Sequence, residues 1–201
     1  MKMENYPGPG WGKGSGGSRV RSALTIAIGL WYGYAAVENV VAVAIGSIAL
    51  AANSIGHITI ASAHVLLLCA PPSDKRKVLT IALSAIVLVP FAIMLTELWQ
   101  RLAAPLVPRA ALLAWFGAGA ILVDLVAAAI IARLRPGSMS VLSGLKALLW
   151  PRTITNPMIM LAALATATTG SAWHDFLIGL GIALSHAVAV CAFWRAGRTI
   201  S

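Results

Sequence analysis

Six apolar runs divide the chain, each about as long as a membrane-spanning helix of roughly 20 residues. The pattern predicts spans over 23–45, 48–70, 78–100, 111–133, 145–168 and 173–194. Only Gly46 and Ser47 separate the first two runs, so these helices form an antiparallel hairpin. PPSDKRK (71–77) joins the second run to the third, and RLAAPLVPR (101–109) carries Pro105 and Pro108 through the next turn. RLRPGSMS (133–140) and TTGSAWHD (168–175) precede the fifth and sixth. Residues 1–22, Gly-rich, Pro-containing and basic, read as a flexible tail, and 197–201 as a short C-terminal one. The runs are too long for barrel strands, and the first is too long and too uninterrupted for a cleaved leader. The expected fold is an all-α integral membrane protein, a six-helix transmembrane bundle over 23–196.

The fifth run is the least regular. VLSGLKALLWPRTITNPMIMLAALATATTG holds Pro151 and Pro157, each lacking a backbone donor, so a kink or break near Trp150 is expected. A five-span alternative lays 138–152 in the interface and places the C-terminus outside, where Arg195 and Arg198 fit poorly.

Composition agrees with lipid as the solvent. The chain is 59% hydrophobic and 10% charged, too few charges to cover a soluble domain. A net charge of +9 raises nucleic acid as a partner, but the basic residues sit in short clusters between apolar runs, so none is expected. Their distribution orients the bundle instead. Twelve fall on the side of the two termini, including Lys75, Arg76 and Lys77, against Arg101 and Arg109 on the other. Both termini are therefore expected in the cytoplasm, with the bacterial inner membrane as the location. Cys69 and Cys191 lie in apolar runs and read as small buried hydrophobes. Trp99, Trp150, Trp173 and Trp194 fall near span ends, as interface anchors do.

Ionisable groups inside hydrocarbon are costly and face a partner or a wet cavity. The candidates are Glu38, Asn53, His57, His64, Glu97, Asp124, Arg152 and His186. In GSIALAANSIGHITIASAH (46–64), Asn53 and His57 are one turn apart and His64 two turns further, so all three share a stripe. Such a pair is half of a divalent-metal site, for which zinc or another divalent cation is the candidate ion; equally, the stripe can be interhelical hydrogen-bonding glue. Asp124 and Arg152 are of opposite charge at comparable depth, which fits a buried ion pair or, for Asp124, a place on a proton path. His57 and His186 could hold a haem between two helices if their depths match.

AAVENVVAVAIGSIALAANSIGH resembles the first hairpin of the cation diffusion facilitator family, with a Glu in the first helix and a ligand pair after the Gly-Ser turn. TELWQRL (96–102), ILVDLVAAAII (121–131) and TGSAWHDFLIGLGIAL (169–184) resemble the family's third, fourth and sixth helices, with Asp124 where an Asn is usual. The resemblance implies a six-helix transporter, a homodimer, exchanging a cytoplasmic divalent cation for protons and carrying no catalytic residues. It places the second-helix ligands on Asn53 and His57. The fifth-helix pair falls on Leu148 and Arg152, or on Leu149 and Thr153, and neither restores a His–carboxylate pair. The family's cytoplasmic metal-sensing domain is not expected here either. An Arg152 turned into the site would repel a dication. Two expectations follow: a transporter with a degenerate site, or a non-transporting relative serving as a structural or assembly subunit of a membrane complex.

Overall fold

The computed structural model describes residues 15–69, 73–133 and 139–198, and every regular element among them is an α-helix. These are α1 (Ser15–Ile45), α2 (Ile48–Cys69), α3 (Ser73–Ala103), α4 (Ala110–Ala132), α5 (Met139–Thr169) and α6 (Trp173–Arg198). The helices fall on the apolar runs but outrun them at several ends: α3 begins at Ser73 and α5 at Met139, ahead of the expected 78 and 145, and α6 continues to Arg198. α1 begins at Ser15, so residues 15–22, assigned above to the tail, extend the first helix. α5 runs as one helix through Pro151 and Pro157, without the break expected near Trp150. Each proline deletes a single donor, and a helix of this length keeps its remaining bonds.

The turn between α1 and α2 is set by two residues. Gly46 has φ 71°, a conformation that side chains with a Cβ disfavour. Its N–H bonds to Val43 O at 3.3 Å, and the N–H of Ser47 bonds to Ala42 O at 2.9 Å. That pair of bonds is a Schellman motif, which satisfies the last carbonyls of α1. Ser47 then opens α2, its Oγ accepting the N–H of Leu50 at 3.1 Å. The other free donors of this helix end go to α6: Asp175 accepts the N–H of Ile48 at 2.7 Å, that of Ala49 at 3.3 Å and the hydroxyl of Ser47 at 2.6 Å. A carboxylate is well suited to the positive end of a helix. Gly179 lets the two helices meet, since a Cβ there would lie 2.7 Å from the carbonyl carbon of Ile48.

α2 is the central element. It packs on α1, α3, α5 and α6 and touches α4, while α1 and α3 both lie on it without packing on each other among the described residues. One apolar core gathers around Leu50, Ile55, Leu113 and Ile159, and a second around Leu24, Trp31, Ile60 and Ile131. Along α2, His57 falls between them.

The exterior is the reverse of a soluble protein's. Val40, Trp99, Trp115, Leu125 and Leu184 are exposed, while Glu38, Asn53, His57 and His64 have no accessible surface. Among the described residues, four helices are long and apolar enough to cross a membrane, over Ser18–Ile45, Ile48–Val65, Ser84–Ala103 and Ala110–Ala132, and the described apolar part of α5, Ile154–Thr169, is shorter. This exterior is compatible with a membrane protein, whose apolar surface meets lipid and whose polar groups turn inward.

Candidate functional site

The hairpin brings the polar residues of its two helices level with one another. Glu38 lies about as far before the turn as Asn53 and His57 lie after it, so antiparallel packing places them side by side. The carboxylate of Glu38 accepts Asn53 Nδ2 at 2.8 Å through Oε1 and faces His57 Nδ1 at 3.0 Å through Oε2. Asn39 and Ser54 repeat the pairing on a neighbouring face, at 3.1 Å. Further down the hairpin Tyr32 and Ser62 share a hydrogen bond of 2.8 Å, and the Trp31 and His64 rings pack with centroids 4.7 Å apart.

A second carboxylate reaches the same imidazole from α4. Asp124 Oδ1 lies 3.6 Å from His57 Nε2, a charge contact too long for a hydrogen bond. Asp124 is itself held by two donors. Trp31 Nε1–H reaches Oδ1 at 2.9 Å, and Asn156 Nδ2 of α5 reaches Oδ2 at 2.6 Å. Tyr34 closes the third side, its ring edge-on to His57 at 5.2 Å and its hydroxyl donating to the carbonyl of Phe116. Gly119 makes room for that hydroxyl: a Cβ there would lie 2.6 Å from it. Four helices thus converge on one imidazole, which stands between two carboxylates.

This arrangement is suited to holding a proton. With both ring nitrogens protonated, His57 donates to Glu38 on one side and is attracted to Asp124 on the other. With Nδ1 alone protonated, the bond to Glu38 survives and the attraction to Asp124 is lost. A proton on Nε2 would add its attraction for Asp124 to the hydrogen bonds by which Trp31 and Tyr34 already tie α4 to α1. The same geometry argues against a metal ion seated in this conformation. The two carboxylates sit at opposite ring nitrogens, so no single ion reaches both and the imidazole. Among the described residues no group of three or more His, Cys, Asp or Glu side chains could hold a metal ion.

The remaining sequence candidates are distributed along the bundle. His64 is buried against the Trp31 ring, its Nδ1–H donating to Ile60 O at 2.7 Å, and its Nε2 has no partner among the described residues. His186 is buried on α6. Glu97 lies on α3 away from the cluster, beside a cavity between α1 and α3. The Asp124–Arg152 pair, and the fifth-helix positions Leu148, Leu149 and Thr153, involve side chains that lie outside the described residues. Sequence reasoning missed Trp31 and Asn156 as partners of Asp124. A signal existed for Trp31, which is two turns from Glu38 on α1 and so shares its stripe. For Asn156, the signal was an amide in an otherwise apolar stretch, one turn beyond Arg152.

No protein-family model matches the sequence, and no curated protein matches it.

Proposed function

We propose that this protein is a cation diffusion facilitator-like membrane transporter that exchanges a zinc-like divalent cation for protons, with a degenerate cation site. Glu38, His57 and Asp124 carry the protons, and Asn53 with His57 forms the remnant of the cation-binding face. One observation carries the reading: a fully buried imidazole bracketed by carboxylates from two different helices, Glu38 of α1 and Asp124 of α4. Packing alone does not call for such a group, since a buried ion pair is often replaceable by apolar residues without loss of stability. In this reading six helices span the bacterial inner membrane, both termini face the cytoplasm, and two copies form the working unit.

Exchange works through one imidazole serving two ligands in turn. Nε2 gives its proton to Asp124 and the freed lone pair takes the incoming cation; a proton from the opposite side then takes Nε2 back and releases the cation, and Asp124 gives up its proton to the side from which the cation came. Both steps change the charge between α2 and α4, the helix pair that must move for access to alternate.

A second reading has its own supporting observation. The Asn53 amide and His57 Nδ1 both engage Glu38, which suits a non-transporting homologue acting as a structural subunit of a membrane complex. The two are separated by measuring zinc, cadmium, cobalt and manganese uptake into proteoliposomes carrying a pH gradient. Transport requires flux of at least one ion that His57→Ala abolishes while the protein stays monodisperse. Absence of flux for all four, with stable co-purifying membrane proteins, establishes the subunit role instead.

A further inference from the structure

The gap left where α1 and α3 fail to meet is a cavity of about 300 Å³. Ala35 and Asn39 of α1, Ile58 of α2, and Pro90, Ile93 and Glu97 of α3 lie along it. The α3 residues are spaced at helical repeats, so one face of that helix forms a whole wall. Apart from two groups the lining is apolar. Asn39 donates its amide to Ser54 Oγ, which leaves its carbonyl oxygen without a partner among the described residues. Glu97 is half-buried and makes no hydrogen bond or ion pair among the described residues.

The next cation along α3, Arg101, does not supply that partner. Its guanidinium lies against Gly46, 3.0 Å from where a Cβ would stand there. A carboxylate inside the apolar stretch Ser84–Ala103 is costly unless something of opposite charge faces it. The cavity beside it sits at the small end of the range for ligand pockets, about 300–1,000 Å³, which are mostly apolar with a few polar groups.

We infer that this cavity binds a lipophilic monovalent cation, with the Glu97 carboxylate as counter-charge and the apolar walls of α1, α2 and α3 around its body. A divalent metal ion would find one carboxylate and one amide oxygen, too few ligands to replace its water. A lipid acyl chain would match the walls and leave Glu97 uncompensated. A bulky organic cation satisfies both, because its charge is spread over a weakly hydrated surface that leaves water readily. The site shares no residue with the His57 cluster and goes beyond the transport proposed above.

Tetraphenylphosphonium is a suitable probe, with binding of the radiolabelled ion measured on the full-length protein in lipid nanodiscs. Wild-type protein should bind it saturably. Glu97→Gln, nearly isosteric but uncharged, should weaken binding at least tenfold. Ile93→Trp, which fills the cavity and keeps the charge, should do the same, so the outcome does not hang on one variant. The neutral triphenylphosphine oxide should compete poorly. His57→Ala should leave binding intact even where it abolishes metal flux, which separates failure of this site from failure of the transport reading. No saturable binding to wild-type protein would overturn the inference. So would equal binding to Glu97→Gln with full competition by the neutral compound, which would make the cavity a slot for lipid chains.

Discussion

Replacing His57 isolates the energetics of the cluster. Glu38 has no accessible surface, and its carboxylate engages His57 and Asn53. In His57→Leu the volume is roughly kept, but one oxygen of a buried carboxylate loses its donor. A hydrogen bond to a charged group contributes about 1.5–3 kcal/mol, and breaking a buried pair by removing one partner costs about 3–5 kcal/mol. Polar groups in membrane proteins find substitute partners in the unfolded state, which lowers such values, so we expect about 3 kcal/mol. Glu38→Gln alone should cost about 1 kcal/mol, because the amide oxygen still accepts from one neighbour while the charge disappears. The informative variant is the double one. With the Glu38 charge no longer there to strand, adding Glu38→Gln to His57→Leu should recover about 1.5–2 kcal/mol relative to the sum of the single losses. Equilibrium unfolding in mixed micelles, followed by far-UV circular dichroism, measures all four proteins. Losses that add within about 0.5 kcal/mol would mean that Glu38 and His57 do not act on each other, and the carboxylate–imidazole–carboxylate arrangement would fall with them.

Two further expectations concern the junction of α2 and α6. Asp175→Asn keeps one acceptor and turns an amide N–H₂ either toward the N–H of Ile48 or toward the N–H of Ala49 and the Ser47 hydroxyl, so thermal unfolding in detergent should show a loss of about 1.5–3 kcal/mol. At Gly179 an added Cβ would meet the carbonyl carbon of Ile48 at 2.7 Å and Ala49 N at 2.8 Å, backbone atoms that cannot swing aside. Gly179→Ala should therefore destabilise by about 1–3 kcal/mol, whereas Gly181→Ala, with nothing within 4 Å, should be neutral or stabilise by up to about 1 kcal/mol. Equal melting temperatures for the two glycine variants would contradict the close α2–α6 approach.

How much of this was legible in the sequence depends on how far apart the partners lie along the chain. The α1–α2 hairpin was legible in full, because a Gly-Ser pair between two apolar runs fixes both the turn and the antiparallel direction. Once the turn is fixed, residues equidistant from it must face each other, and Glu38 with Asn53 and His57 follows by counting. The boundaries of α1 and the course of α5 were less legible, since glycine and proline composition speaks for local propensity and tertiary packing overrides it. The contacts of Asp124 could not be counted from any turn. Trp31 is 93 residues away and Asn156 is 32, and each pairing depends on the depth at which separate helices settle. Type also misled: an indole reads as an apolar anchor, and its single N–H shows only when a carboxylate stands opposite. The resemblance implies ligands on α5 across from α2, and the sequence of α5 holds no His–carboxylate pair at those positions. The carboxylates that meet His57 come instead from α1 and α4, flanking the ring on both sides. For a metal ion that placement is poor, and for a proton it is good, so the cluster's chemistry depends on which helices supply the acids.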